Sequence, residues 1–179
     1  MGIVVWHASM SLDGFIAGPD DAMEWVFGYD EPQGIDEIIA SVGALLVGRN
    51  TYMVGFKDDQ VEGAQEAYGG RWHGPQIVLA HDPSSLPRGE GVTFFAGDIR
   101  DAVEQARAAA GDKNVEVLGA NVARQCIEAG VLDEIFVHIV PVLLGAGVRL
   151  YGPGPETKLE TIDVTRAGQT TSMRLRVRK

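Results

Sequence analysis

The sequence predicts an α/β fold in three layers: a mixed, mostly parallel central sheet, helices on both of its faces, and a C-terminal antiparallel hairpin. Three observations predict it. Short buried strand segments alternate with short helical ones in βαβαβ order. Two of those strands, residues 44–47 and 115–118, each run through a glycine into a helix. Residues 160–166 and 170–178 then alternate cleanly around Ala167-Gly168, with Thr171, Met173, Leu175 and Val177 facing in and Ser172, Arg174, Arg176 and Arg178 facing out, as a hairpin requires.

The elements follow in order. Residues 3–11 read as a strand buried on both faces, running into a loop, residues 13–21, whose length exceeds the usual run of about 4–6 residues and points to function. Residues 35–42 carry Ile35, Ile38, Ile39 and Val42 at helical spacing, so a short amphipathic helix packs on the sheet. The strand 44–47 ends in Gly48-Arg49-Asn50-Thr51, and a short helix opens at Thr51. Residues 57–70 are polar and aperiodic, a mobile loop or short helix that covers something.

Strands at 76–80 and 92–95 flank a Pro- and Ser-containing loop. Asp98 is an N-cap for a helix whose Ile99, Ala102, Val103, Ala106 and Ala110 share a face, and Gly111 stops it. After the strand 115–118, Gly119 and Ala120 make a small-residue turn, Asn121 reads as the N-cap of a helix over 122–129, and Gly130 ends it. Residues 133–144 form a central strand, apolar on both parities, until Pro141 removes a ladder donor.

At 179 residues the chain is expected to be one domain spanning 1–179, and 45% hydrophobic with 22% charged residues is ordinary for a globular protein. The net charge of −10 argues against nucleic-acid or anionic-membrane partners, since both select basic surface. Residues 1–6 lack a basic region ahead of an apolar one, so no signal peptide is expected, and no apolar run approaches the ~20 residues of a membrane span. Cys126 is the only cysteine and reads as a small buried hydrophobe; a reducing, cytoplasmic location follows. The four histidines show no pairing at ligand spacing, so no metal is expected.

A helix opening directly after a strand aims unpaired N–H groups and the positive end of its dipole above the sheet edge, which suits a phosphate, although such turns also occur as plain αβ packing. The usual nucleotide motifs are absent: Gly145-Ala146-Gly147 runs on to Val148-Arg149-Leu150 and makes no GxGxxG, and no GxxxxGK occurs.

The segments LLVGRNTY, VLGANVARQCIEAGVLDEIFV and GFIAGPDDAMEW resemble the VMGRxTW, glycine-helix and first-loop segments of dihydrofolate reductase. SLDGFIA, LVGRNTY, GANVA and PVLLGAG resemble more closely the RibD C-terminal family, the reductase module of riboflavin biosynthesis and its stand-alone relatives. The resemblance spans nearly the whole chain in the right order. It implies a dihydrofolate-reductase-like fold that binds NADPH across the carboxyl ends of the strands and passes hydride to a small ring or imine substrate, within a homodimer formed through a sheet edge or residues 141–147.

Residue by residue, Gly48, Arg49, Asn50 and Thr51 match the turn set against the cofactor phosphates, Arg49 holding the 2′-phosphate or pyrophosphate. Gly119, Ala120, Asn121, Val122 and Ala123 match the turn that offers N–H groups to the pyrophosphate, with Ala120 replacing the second glycine of a Gly-Gly pair. Ala80 and His81 match the adenosine side, with Ser84, Ser85 and Arg88 as further candidates; His81 either adds charge toward a 2′-phosphate or caps its loop. In the loop over the nicotinamide, Ile16 and Ala17 pack the ring and Asp13 serves the tight turn.

For the acid that protonates the substrate, rough position offers Glu24 or Asp30, with water as the alternative donor. Arg71-Trp72-His73 either reaches a substrate or packs its loop. No zinc deaminase signature is present, so the chain reads as the reductase module alone. Three readings stay open: a RibD-like reductase, a true dihydrofolate reductase, and a nucleotide-binding or assembly module that has kept the fold without the chemistry.

Overall fold

The computed structural model describes residues 2–56 and 66–179. β1 (Val4–Ser11) turns through Gly14, at φ 91°, into the short β2 (Phe15–Ala17). α1 (Ile35–Ser41), β3 (Val42–Gly48) and α2 (Arg49–Val54) follow, then a 3-10 turn at Ala67–Gly70, β4 (Gln76–Leu79) and β5 (Val92–Phe95). α3 (Ile99–Ala110), β6 (Asn114–Leu118), α4 (Ala120–Glu128) and β7 (Glu134–Val140) complete the α/β part. β8 (Val148–Arg149) pairs with β2, and β9 (Leu159–Ala167) and β10 (Thr170–Val177) form the hairpin.

The eight-stranded sheet has the order β5-β4-β3-β6-β1-β7-β10-β9. Its strands are parallel from β5 to β7, and β10 and β9 are added antiparallel. The expected three layers are present. On one face Ile99, Ala102, Val103 and Ala106 of α3 and Val122, Ala123 and Cys126 of α4 bury Trp6, Leu46 and Val117. On the other, Tyr52 of α2 and Leu86 cover Leu45, Val47 and Val78. Each large aliphatic side chain so buried contributes about 1.5–3 kcal/mol relative to exposure. Asp98 caps α3 as its sequence predicts, accepting from the Arg100 N–H at 2.8 Å.

Three expectations need correction. The strand expected over 133–144 stops at Val140: Pro141 has no N–H to continue the ladder, and the Val142 N–H turns back to the Val140 carbonyl at 2.8 Å. α4 opens two residues earlier than read, with Gly119 as its N-cap, and the Asn121 side-chain Oδ1 instead accepts from Arg124 at 3.1 Å. Ser172 faces inward and is buried, because its hydroxyl meets a histidine across the β10–β7 pair. The loop read over 57–70 falls partly outside the described residues, at 57–65; its described end is the 3-10 turn. No helix among the described residues is long and apolar enough to cross a membrane.

Candidate active site

The strand order creates the site. β3 and β6 are neighbours, yet α2 leaves β3 toward one face of the sheet and α4 leaves β6 toward the other, so a crevice opens between them at the carboxyl edge. The two glycine turns meet at its floor. A Cβ on Gly119 would lie 2.5 Å from Thr51 Oγ1, and one on Gly48 would lie 3.1 Å from Val122 Cγ2, so both turns need glycine for contact with each other. Gly119 also holds φ 103°, a value side chains rarely adopt. The resulting cleft has a volume of about 890 Å³, within the range of small-ligand and cofactor sites.

The structure brings nearly all the expected cofactor residues to this cleft. Gly48, Arg49, Asn50 and Thr51 line one wall; Gly119, Ala120, Asn121 and Val122 line the facing one. Ala80, His81 and Ser85 form the rim beyond β4, and Ile16 and Ala17 close the other end. Ala123 is the exception. It is fully buried in the core under α4, and its N–H already donates to the Gly119 carbonyl at 3.1 Å. The N–H groups of Ala120, Asn121 and Val122 precede any intrahelical acceptor, and no side chain caps them. Arg49 lies near enough to Asp82 to help hold that carboxyl below its ordinary range, after the larger effect of Ser84, whose hydroxyl and N–H donate to it at 2.6 and 2.9 Å.

The first loop is fixed by Asp13, as its turn chemistry suggests. Its carboxylate accepts from Ser11 Oγ at 2.7 Å and from the N–H groups of Leu144 and Gly145 at 3.1 and 2.7 Å. The Ser11 hydroxyl chiefly, joined by these N–H groups, lowers its pKa to about 2 although desolvation opposes them. The clamp joins the loop after β1 to the one after β7, and Gly147, at φ 133°, passes so close to the Ala17 carbonyl that a Cβ would stand 2.0 Å from it. Ile16, Ala17 and Val148 are thereby held over the cleft.

Glu24 and Asp30 do not reach the cleft. Both are exposed; Glu24 opens a 3-10 turn, and the Asp30 carboxylate lies beside Gly168 in the β9–β10 turn. Arg71 pairs with Glu31 at 2.6 Å and Trp72 Nε1 donates to the Val42 carbonyl at 3.1 Å, so both pack the loop. Arg88 and Ser84 stand outside the lining.

What sequence reading missed is a row of polar groups across four adjacent strands. Glu116 on β6, His7 on β1, His138 on β7 and Ser172 on β10 share one face, and Tyr68 of the 3-10 turn bends over them. Two histidines that show no ligand spacing in the sequence meet here, with His7 Nε2 and His138 Nε2 2.6 Å from each other. His138 Nδ1 meets Ser172 Oγ at 2.7 Å, His7 Nδ1 meets the Tyr68 hydroxyl at 2.8 Å, and that hydroxyl donates to Glu116. Burial, with His7 beside it, drives the His138 pKa down to about 3. Burial, then the charge and hydrogen bond of Glu116, raises Tyr68 well above the ordinary tyrosine range. His7, Tyr68 and Glu116 line the cleft. The available signal was parity: each strand member is a polar residue at a position where an apolar one would pack.

A family model for the RibD C-terminal domain matches residues 3–173. Among solved structures, a candidate riboflavin biosynthesis protein of Shewanella sp. PV-4 is similar with a TM-score of 0.80 and 21% identity over 99% of both chains. A Thermotoga maritima diaminohydroxyphosphoribosylaminopyrimidine deaminase/5-amino-6-(5-phosphoribosylamino)uracil reductase gives a TM-score of 0.70 at 16% identity, over 98% of this chain and 56% of its own. Dihydrofolate reductase of Enterococcus faecalis, complexed with NADP(H), gives 0.59 at 13% identity over 99% and 98% of the two chains. The structural likenesses establish a dihydrofolate-reductase-like fold, and on the match from residue 3 to residue 173 the chain belongs to the RibD C-terminal domain family.

Proposed function

We propose that this protein is an NADPH-dependent reductase of the RibD C-terminal type, acting on 5-amino-6-(5-phosphoribosylamino)uracil or a related small ring, carbonyl or imine compound. The observation that carries the reading is the cleft at the β3/β6 switch point, where the uncapped N-terminus of α4 faces the Arg49 turn. The Ala120, Asn121 and Val122 N–H groups suit a pyrophosphate, and the planar guanidinium of Arg49 suits a terminal phosphate. Ala80 and His81 border the adenosine end, and Ile16 and Ala17 would cover the nicotinamide and keep water from it. When bound, the cofactor supplies a hydride from its nicotinamide ring. The protein's own part is to hold the two reactants in line, exclude water and provide a proton.

The test is quenching of tryptophan fluorescence on titration with NADPH, with NADH as control and Arg49→Ala in parallel. A charge-assisted bond to phosphate is worth about 1.5–3 kcal/mol, so Arg49→Ala should weaken NADPH binding on the order of 10- to 100-fold. NADPH oxidation with the pyrimidine, and with dihydrofolate as the competitor, then identifies the substrate class. Absence of binding by either dinucleotide overturns the reading; tight NADPH binding without turnover of any candidate favours a non-catalytic nucleotide-binding module.

A further inference from the structure

The polar row leads from the cleft to a second, smaller cavity. That cavity, of about 300 Å³, is lined by Ser172, Glu116, Phe136 and Arg174 among others, and it shares Glu116 with the cleft. His138 and Ser172 are each only 2% exposed. We propose that Ser172, His138, His7 and Tyr68 form a proton-conducting chain from the smaller cavity to the cleft, where the Tyr68 hydroxyl protonates the substrate as it is reduced. The catalytic half of this proposal rests on the reductase reading above.

The direction of the chain follows from its ends. Tyr68 donates its hydroxyl proton to Glu116, so the tyrosine oxygen is left to accept from His7 Nδ1–H. His7 Nε2 then has no proton and must accept from His138 Nε2–H, because two imidazole nitrogens 2.6 Å apart share one proton. His138 Nδ1, in turn, accepts from the Ser172 hydroxyl. Ser172, His138, His7 and Tyr68 each donate and accept, each proton lies one step nearer to Tyr68, and the Tyr68 hydroxyl proton itself lies on Glu116 at the cleft wall. Burial of His138 keeps it in the neutral form that this arrangement needs.

The transfer balances. When a C=N or C=O bond is reduced at carbon, its electron pair moves to nitrogen or oxygen, which replaces Glu116 as acceptor of the Tyr68 hydroxyl and takes its proton. The tyrosine oxygen takes the Nδ1 proton of His7, His7 Nε2 takes the Nε2 proton of His138, and His138 Nδ1 takes the Ser172 proton. Ser172 recovers one from solvent in the smaller cavity. One proton enters, one leaves, and no charge stays behind; both imidazoles end in the opposite tautomer and reset by the return of the hydrogen-bond directions. The chain can therefore be recharged while substrate and cofactor fill the cleft. No other acid expected from the sequence occupies this position, since Glu24 and Asp30 lie elsewhere and Asp13 is held ionised in its clamp.

Within the row Glu116 also lies 3.4 Å from His7 Nδ1, and two cations near it are paired with acids. Arg71, behind Tyr68, pairs with Glu31 and Asp36, and Arg174 on β10 pairs with Glu134 on β7 at 2.6 Å. Glu37 and Asp163 border the smaller cavity. None of them interrupts the sequence of donors.

Two measurements test the proposal. The first uses the whole protein, labelled with ¹⁵N-histidine and free of ligand, and follows exchange of the ring N–H protons of His7 and His138 with water. A conducting chain exchanges these buried protons through Ser172. Ser172→Ala should slow that exchange on the order of tenfold or more, equivalent to about 1.4 kcal/mol of barrier, and Ser172→Thr, which keeps the hydroxyl, should restore it. Unchanged exchange in Ser172→Ala overturns the chain.

The second uses NADPH with 5-amino-6-(5-phosphoribosylamino)uracil as the probe. Tyr68→Phe should lower kcat on the order of 10²-fold or more with KM little changed, as loss of a general acid does. Ser172→Ala should lower kcat less, enlarge the solvent isotope effect and move the pH profile, and Ser172→Thr should reverse all three. Wild-type kcat, isotope effect and pH profile in both Tyr68→Phe and Ser172→Ala overturn the catalytic role. Failure of the wild type to bind NADPH overturns the reductase reading and that role with it, while ring-proton exchange still decides whether the chain conducts.

Discussion

Replacing Gly119 by alanine tests the contact on which the cleft is built. The residue sits at φ 103° and ψ 133°, and the added Cβ would stand 2.5 Å from Thr51 Oγ1. A side chain forced into such a backbone region costs about 1–3 kcal/mol. Thr51 can clear the clash only by leaving its preferred χ1, which for a β-branched residue in a helix adds about 0.5–1.5 kcal/mol. The expected loss is therefore about 2–4 kcal/mol, and with a urea m-value of about 2 kcal/mol/M the midpoint falls by about 1–2 M at unchanged slope. Equilibrium urea unfolding of Gly119→Ala, Thr51→Ala and the double variant separates the two parts. Thr51→Ala should recover only the rotamer share, about 0.5–1.5 kcal/mol, and leave the backbone share in place. A midpoint within error of the parent, or a double variant that is simply additive, refutes the claim that the two turns touch through the missing side chain.

Two further outcomes follow from single groups. Asp13 has a folded pKa near 2, below its ordinary 3.8, so its clamp stabilises the protein fully above the higher value and loses that contribution as pH falls toward the lower one. Asp13→Asn should therefore be less stable than the parent at neutral pH, and the gap should close between those two values in urea melts run across the acid range; a gap independent of pH removes the clamp. Cys126 is fully buried, and burial pushes its thiol up to about 12, so a thiol reagent should label it only as fast as the protein opens, and labelling of the native protein at the rate of a free cysteine would contradict its place under α4.

What the sequence made legible is what local rules control. The face of α3 could be read from Ile99, Ala102, Val103, Ala106 and Ala110, all of them buried, because helical spacing alone puts them together. The turns at Gly48 and Gly119 could be read because strand, glycine and helix are contiguous, and the sheet order then made them neighbours. Local rules also explain the misreadings. Asn121 has the chemistry of an N-cap, but Gly119 could adopt the cap's backbone first and leave Asn121 to Arg124. Ser172 alternates correctly with Met173 and Leu175, yet both faces of β10 are covered near His138, so alternation could not say which residues meet solvent. Glu24 and Asp30 were proposed by distance from the first loop, with no spacing to constrain their direction. The row from Glu116 to Ser172 is drawn from four strands and a turn, and only the sheet order brings its members side by side.

That row asks for a reason beyond stability. The β1 residues facing α3 and α4, Val4, Trp6, Ala8 and Met10, are apolar, and the opposite face is equally apolar where β3 and β4 present Leu45, Val47 and Val78. Across β6, β1, β7 and β10 it turns polar, and there Val5 and Phe136 show that apolar side chains fit among the polar ones. A buried hydrogen-bonded network is stable when every member is satisfied, but an apolar set of the same shape would serve the fold about as well. A single defect, by contrast, leaves a buried donor or acceptor unpartnered at a cost of about 1–3 kcal/mol. The fold thus gains little from the row and is exposed to its failure. Its continuity from one cavity to the other, with Ser172, His138, His7 and Tyr68 each able both to give and to take a proton, is the property an apolar replacement could not supply.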